Sequence, residues 1–305
     1  MDEGKLERLQ RIVRESGPIG AFIRLLVRGI SWTGHKLADV SDRLLLRLPM
    51  SVLTSGANRE KLKRNGQLKK KHAGERCFII GTAPSLNAID LRPLTTEKTI
   101  TVNRSFQIES LQGLSPSYHV LVDRMFADAS YQASMNSLRG YLGQHKTTLI
   151  TSLELEDTLV ESWTEVERFA LRQIQISTPW DKSGQSLPVD LTNGVPGFTS
   201  VVHMAIVSAL YMGFKEVVLL GVDMDYVTHV RKPFGHAYQE DENSTVLEDF
   251  DMNQAEVLDW VAKEFHAFHK LGETAAERGA QIINASPAGM LDVYARKSLD
   301  EILAD

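Results

Sequence analysis

The order of hydrophobic and polar positions along the chain changes character near residue 77. From there on, short runs of aliphatic and β-branched residues alternate with longer stretches of helical periodicity. We predict strands at 77–80, 99–102, 118–122, 147–151, 171–176, 216–222 and 281–283, and helices at 198–212 and 252–271. This alternation predicts an α/β fold over residues 73–305, a Rossmann-like, mostly parallel sheet with helices on both faces.

Residues 1–72 follow a different pattern, which predicts a basic amphipathic helical extension and a linker. Between residues 4 and 50, apolar side chains recur at helical spacing, and Arg24 and Arg28 lie on the opposite side of one predicted helix. Residues 59–71 are strongly basic and lack apolar periodicity. The extension can lie on a membrane surface, or its helices can pack on the body or build a homo-oligomer, followed by a solvated linker.

The formal net charge of −5 hides a strong asymmetry. Residues 1–71 carry 16 Lys and Arg against 7 Asp and Glu, a net of +9, whereas the remainder carries 18 against 32, a net of −14. A basic extension on an acidic body predicts an anionic partner, and we expect the inner membrane surface. We do not expect nucleic acid, because the basic run has no interleaved aromatic residues for base stacking.

Cysteine content and hydropathy bear on the compartment. Cys77 is the single cysteine, so no internal disulfide can form, and a buried, inert thiol is the simplest interpretation. No apolar run approaches the roughly 18 residues that a membrane span needs, and the first residues do not form a secretory signal. We therefore expect a cytoplasmic protein, with peripheral contact at the inner membrane if the extension binds lipid.

The first predicted strand leads directly into the turn Gly81-Thr82-Ala83-Pro84-Ser85-Leu86. Glycine permits a tight turn at a strand end, and proline suits the first position of a helix. If Thr82 and Ser85 cap that helix, free backbone N–H groups face the crevice and can bind phosphate. A plain strand-to-helix turn is the alternative, because this run is neither a Walker loop nor a GxGxxG fingerprint.

The next two strands each end in a polar residue, Asn103 and Asp123. An amide both donates and accepts hydrogen bonds at a base or ribose, whereas an ionised carboxylate only accepts them. In open α/β sheets ligands bind at the carboxyl ends of the strands. Gly81, Asn103 and Asp123 on one sheet edge therefore predict a nucleotide site.

A polar loop rich in titratable groups follows the strand at 216–222. It holds Asp223, Asp225, Tyr226, His229, His236 and Tyr238. An imidazole titrates near neutral pH, so His236 is the candidate general base, with His229 as its rival. Asp223-Met224-Asp225 also has the form of a Mg²⁺ or Mn²⁺ site under a sugar nucleotide, although Asp223 bonded to backbone is an alternative. His203, within an apolar helix, is expected to be a satisfied core histidine.

Three stretches of the sequence carry a resemblance to known proteins. They are the turn at 81–86 followed by Asn103, the run Met212-Gly213-Phe214-Lys215-Glu216-Val217 with Gly221-Val222-Asp223, and Ile283-Asn284-Ala285-Ser286-Pro287. Over about residues 77–295 the chain resembles the bacterial sialyltransferase family of mono- and bifunctional enzymes. It is similar also to the wider group of motility-associated factors and pterin diphosphokinase-like proteins. Thr82-Ala83 replaces the Asn-Gly of the sialyltransferase turn, and Asp123 replaces an Asn.

The resemblance implies a Rossmann-like enzyme that transfers a sialic acid from its CMP derivative to a sugar hydroxyl, with inversion and without a metal. By this resemblance Gly81, Thr82, Pro84 and Ser85 hold the nucleotide, and Asn103, with Asp123 nearby, binds cytosine or ribose. Thr199, Ser200 and Asp223 lie beside the donor. Tyr226 and Tyr238 bind the departing phosphate, and His236 is the base.

Three functions follow as expectations. The first is an inverting glycosyltransferase that moves a CMP-activated ulosonic acid (sialic acid, Kdo or a relative) onto a surface-glycan or lipid-linked acceptor, without a cofactor. The second is a pterin-type diphosphokinase that uses ATP with Mg²⁺ at Asp223 and Asp225. The third is a non-catalytic, nucleotide-binding scaffold.

Overall fold

The structure is a computed structural model of the chain. It describes residues 54–159, 162–175, 187–197, 200–230, 235–238 and 251–304, together with the single positions Gly17, Ile19, Gly20, Phe22 and Leu247. The predicted extension helices between residues 4 and 50 therefore lie, apart from those single positions, outside the described residues. Thr199 lies outside them too.

The described chain forms an α/β fold, as the sequence predicts. The strands are β1 (Arg76–Ile80), β2 (Thr99–Val102), β3 (Tyr118–Leu121), β4 (Thr148–Ser152), β5 (Arg168–Leu171), β6 (Gln173–Gln175), β7 (Val195–Gly197), β8 (Glu216–Leu220), β9 (Gln281–Asn284) and β10 (Ala295–Arg296). The helices are α1 (Gly56–Arg64), α2 (Gln132–His145), α3 (Leu153–Leu159), α4 (Val201–Met212), α5 (Gln254–Glu277) and α6 (Leu299–Ala304).

Eight of the described strands form one parallel sheet in the order β10-β9-β8-β1-β2-β3-β4-β5. After β1 the chain builds outward to one side through β5, and it then returns to place β8 on the other side of β1. The order of the strands thus reverses between β1 and β8. In parallel sheets the carboxyl ends of the strands at such a reversal flank the usual ligand-binding crevice.

Strand alternation divides the core between the two faces of the sheet. On β1, Cys77 and Ile79 pack with α4 on one face, whereas Phe78 and Ile80 pack on the other face with Leu86 and α6. Helix α4 is hydrophobic all round because it lies between the sheet and α5, where all its residues from Val202 to Met212 are buried. The prediction of helices on both faces is confirmed.

Two of the predicted elements differ from the structure. The strand predicted at 171–176 is two short strands, β5 and β6, which break at Arg172 and belong to different sheets. The helix predicted at 252–271 begins at Gln254 behind the capping residue Asn253 and continues to Glu277. Asn253 accepts hydrogen bonds from Ala255 and Glu256, which sets where α5 starts.

The interpretation of residues 59–71 as a solvated linker is wrong. Asn58, Leu62, Asn65, Leu68 and His72 are buried at helical spacing along this segment. The Asn65 amide donates to the backbone oxygens of residues 170 and 191, and both bonds measure 2.7 Å. Asn58, Asn65 and His72 interrupt the apolar positions of this stripe and hide its periodicity; the Asn65 and His72 side chains are held there by hydrogen bonds. This segment therefore packs on the body.

Candidate nucleotide site

The turn after β1 is held against the end of β8. Gly81 N–H donates to Leu220 O at 2.8 Å, and Ala83 N–H donates to Gly221 O at 3.0 Å. A Cβ atom on Gly81 would lie 2.2 Å from the carbonyl oxygen of Gly221, so only glycine fits this approach. The two backbone segments therefore meet at the strand-order reversal.

The predicted caps of the next turn have a different role. A 3-10 helix spans Pro84–Ala88 with Pro84 first, as expected, but Ala83 occupies the cap position and no side chain caps it. The Ser85 hydroxyl and the Ser85 N–H instead donate to the two carboxylate oxygens of Asp223. Ser85 therefore does not cap this turn, because its hydroxyl donates to Asp223 instead.

Asp223 is a structural centre of the site as well as a candidate ligand. Its side chain is 4% exposed, its backbone oxygen accepts from Met290 N–H at 2.6 Å, and the preceding Val222 N–H donates to Ser286 Oγ at 3.0 Å. Burial raises the pKa of the Asp223 carboxyl, and the hydrogen bonds from Ser85 oppose that rise. The Asp223 carboxylate therefore links the turn after β1 to the loop after β8. The alternative that Asp223 bonds to a backbone group is observed, since it accepts from Ser85 N–H.

The loop carrying His236 contacts the turn after β1. Thr82 Oγ1 lies 3.2 Å from His236 Nδ1, and Ala237 N–H donates to Thr82 O at 2.7 Å. The His236 and Tyr238 rings stack at 4.8 Å with an interplanar angle of 13°. The imidazole and the buried phenol are therefore fixed beside the glycine turn.

The end of β2 joins this cluster through Asn103 and its neighbour. Asn103 has a left-handed backbone with φ of +46°, and its buried Oδ1 atom has no hydrogen-bond partner within the described part of the chain. The Arg104 guanidinium lies 4.8 Å from the Tyr238 ring centroid. A buried carbonyl oxygen without a partner is costly, which is the expected state of a group that a ligand satisfies.

Tyr226 lies on a separate wall formed with α5. It begins the 3-10 segment Tyr226–His229, and its ring packs against Trp260 at 4.8 Å. Burial, and then the charges of Glu264, Asp225 and Asp223, raise the pKa of the Tyr226 phenol. The phenol is therefore protonated at neutral pH, which is the form that donates a hydrogen bond to phosphate.

Glu264 and His203 form a buried polar pair behind Tyr226. Glu264 Oε2 lies 3.7 Å from His203 Nδ1, and both side chains are almost fully buried. Burial raises the pKa of Glu264 to about 8, although its hydrogen bond with Trp260 opposes the rise. Burial lowers the pKa of His203 to about 3. Both groups are therefore neutral near pH 7.

Three of the predicted site residues lie at the same edge without a described contact to the cluster. Asp123 is exposed and caps its own 3-10 helix by accepting from Met125 N–H at 3.0 Å. Ser200 caps α4 by accepting from Val202 N–H, and this end of α4 faces the carboxyl edge because the helix runs antiparallel to β8. Pro84 is exposed on the turn.

The predicted metal ligands are each engaged with protein groups. Both Asp223 oxygens accept from Ser85, and Asp225 Oδ2 lies 3.3 Å from His229 Nε2. Among the residues that the structure describes, no group of three or more His, Cys, Asp or Glu side chains lies close enough to hold a metal ion. None of the described helices combines the length and the apolar character needed to cross a bilayer.

Sequence reasoning missed several residues that shape the site. Gly289 passes so close to Asp223 that a Cβ atom would lie 2.3 Å from its backbone, and Arg296 donates to Ser286 O at 2.5 Å and Ala288 O at 3.0 Å. Arg104 was visible beside Asn103 but had no predicted role. The glycine at position 289 was the available signal in the sequence, and its φ of +93° in the structure explains why glycine stands there.

Fold and site together define a Rossmann-like α/β protein with a cluster of polar side chains at the strand-order reversal. The chain belongs to the 6-hydroxymethylpterin diphosphokinase MptE-like family, whose sequence model matches residues 55–229. No curated protein matches the sequence. Among solved structures it is similar to the MAf glycosyltransferase from Magnetospirillum magneticum AMB-1, with 17% identity and a TM-score of 0.41. That match covers 79% of this chain and 38% of the other.

Proposed function

We propose that this protein is an inverting glycosyltransferase that moves a CMP-activated ulosonic acid (sialic acid, Kdo or a relative) onto a surface-glycan or lipid-linked hydroxyl. The observation that carries the proposal is the contact of His236 with Thr82 at the β1–β8 reversal, with the Tyr238 ring stacked on His236. A base and a phenol beside a nucleotide-type turn are the groups that such a transfer requires.

Each residue has a specific task in this proposal. The unpartnered carbonyl oxygen of Asn103 accepts a hydrogen bond from the cytosine amino group or the ribose. His236 takes the proton from the attacking hydroxyl as the new glycosidic bond forms. The bond from the sugar to the phosphate breaks, and the protonated Tyr226 and the phenol of Tyr238 stabilise the departing CMP.

The test is release of CMP from a panel of CMP-sugars in the presence of glycan acceptors. His236→Ala should lower kcat by about 10²- to 10⁴-fold, which is the usual contribution of a general base. His269→Ala is the matched control and should keep full turnover, because His269 is 66% exposed on α5. Full turnover by His236→Ala would refute this mechanism, and a matching loss in His229→Ala alone would transfer the role to His229.

A second candidate is a pterin-type diphosphokinase that uses ATP and Mg²⁺. The description of the family favours it, and Asp225 lies at the same sheet edge as the glycine turn. Mg²⁺ in nucleotide sites is commonly held by one or two carboxylates and the substrate phosphates. The half-buried Asp225 carboxylate fits that role, while Asp223 is engaged with Ser85. The ion would neutralise charge on the phosphates.

A thermal-shift panel separates these candidates. Stabilisation by CMP without a metal supports the glycosyltransferase, and Mg²⁺-dependent stabilisation by ATP or GTP supports the diphosphokinase. Tight nucleotide binding with no turnover on any acceptor would favour the third function, a nucleotide-binding scaffold.

We further propose that the basic extension brings the protein, in the cytoplasm, to the inner membrane surface, where lipid-linked acceptors are found. Two described positions support an apolar contact, since Ile19 and Phe22 are 70% and 66% exposed. Co-sedimentation with vesicles that contain anionic lipid, and not with zwitterionic vesicles, is the expected result. Light scattering distinguishes this from a homo-oligomer built by the same helices.

A further inference from the structure

Arg104 directly follows the candidate base-binding residue Asn103 at the end of β2. Its backbone adopts φ −87° and ψ 15°, inside the 3-10 segment Asn103–Gln107. Its Nε atom donates to Gln107 Oε1 at 3.0 Å, and its guanidinium carbon lies 4.8 Å from the Tyr238 ring centroid. The side chain is thus held on two sides, and it directs a positive charge toward the aromatic loop.

The rings of Tyr238 and His236 lie between the Arg104 guanidinium and the glycine turn. Tyr238 stacks on His236 at 4.8 Å, and His236 Nδ1 lies 3.2 Å from Thr82 Oγ1. These contacts among a guanidinium, a phenol and an imidazole bring together the ends of β1 and β2 and the loop at residues 235–238. A nucleotide that reaches from Asn103 toward the turn at Thr82 would therefore pass along a cluster that carries this guanidinium.

The electrostatics of the crevice call for such a cation. Two carboxyl groups, Asp223 and Asp225, lie at the same sheet edge as the proposed site, where Arg296 acts on the first and His229 lies 3.3 Å from the second. A guanidinium binds phosphate through two parallel N–H bonds and stacks well on aromatic faces. Transfer without a metal ion needs a fixed positive group to offset the charge of the leaving phosphate.

We propose that Arg104 binds the phosphate of the nucleotide donor and sets the preference of the site for phosphorylated ligands. This inference rests on the proposed nucleotide-dependent function, and it names a residue which that proposal does not use. The ligand chemistry is a nucleotide phosphate, from either a cytidine or an adenine nucleotide. Because Arg104 also contacts Tyr238, it orders the aromatic loop when the phosphate is bound.

The test compares each nucleoside with its nucleotide. Calorimetry on the full-length wild-type protein should show tighter binding of CMP than of cytidine, or of ATP than of adenosine, and the pair that responds identifies the base. Arg104→Gln should reduce that preference by about 10- to 100-fold, as expected for the loss of a charged hydrogen bond. It should leave binding of the nucleoside nearly unchanged, and Arg104→Lys should retain part of the preference.

Arg124 provides the matched control. It occupies the equivalent place after β3, is exposed, and pairs with Glu154 at 2.6 Å. Arg124→Gln should leave the phosphate preference unchanged. If Arg104→Gln keeps the wild-type preference for the nucleotide over the nucleoside, the inference is overturned and the nucleotide function stands. If Arg104→Gln does not fold, the same result in Arg104→Met overturns the inference. A wild-type protein with no preference in either pair would overturn both proposals.

Discussion

The buried carboxyl of Glu264 should make the folded protein less stable as the pH rises. In the folded state it is 2% exposed on α5, facing His203 on α4 and the Tyr226 segment, with Trp260 on its own helix. Its pKa rises from 4.5 to about 8 because the charged form is poorly solvated there. The folded protein therefore keeps a proton that the unfolded chain has already lost.

The sign and size follow from the difference in bound protons. Between pH 4.5 and pH 8 the folded state binds the extra proton, so the contribution of Glu264 to the free energy of unfolding falls as the pH rises. The slope is about 1.4 kcal/mol per pH unit, which gives a loss of up to about 5 kcal/mol by pH 8. Glu264→Gln keeps the shape of the side chain and removes the titration, so this loss should disappear.

Urea denaturation at pH 5, 6, 7 and 8 measures the prediction directly. The stability of Glu264→Gln relative to wild type should increase at each step, with the largest gain at pH 8. Glu277→Gln, which changes an exposed glutamate near the end of the same helix, should follow the wild-type curve. Parallel curves for Glu264→Gln and wild type would refute the reasoning, because they would show that Glu264 is ionised in the folded protein at neutral pH.

Three further predictions concern the sheet and the turns. Gly289→Ala places a Cβ atom 2.3 Å from the Asp223 backbone and should cost about 3 kcal/mol or more in urea denaturation, whereas Gly113→Ala, which has open space, should cost far less. Ser85→Ala removes hydroxyl bonding from a buried carboxylate and should cost about 1.5–3 kcal/mol; an unchanged midpoint would contradict the contact. Burial lowers the pKa of His119 to about 3, so the contribution of His119 to the free energy of unfolding falls as the pH drops below 6.5 and opposes that of Glu264; His119→Gln should therefore gain stability relative to wild type as the pH is lowered in the same assay.

The sequence predicted most of the sheet because its strands are short, apolar and followed by turn residues. The predicted strand 99–102 matches β2, and the predicted strand 281–283 lies within β9. Parallel strands end at one edge, so the meeting of the turn at 81 with the residues after β8 could also be predicted. That prediction is confirmed by the contacts of Ser85 and Thr82.

Other features depend on pairings that periodicity does not encode. Nothing local in the sequence indicates that Ser85 bonds to Asp223, because the chain passes through four more strands of the main sheet before β8 returns beside β1. The contact of Arg104 with Tyr238 likewise joins segments that are distant in the chain. The roles of the site residues beyond these contacts, including Asp123 and Ser200, stay predictions.

The support of Asp223 by residues 284–296 has a practical consequence for any shortened version of the protein. The region that matches the family model ends at residue 229, yet Ser286 and Met290 bond to the backbone at residues 222 and 223, and the Arg296 guanidinium donates to the backbone oxygen of Ser286. A truncation at the end of that region would delete His236 and Tyr238 together with the support under Asp223. Deletion experiments should therefore keep the chain through at least β10, or the loss of binding will report damage rather than function.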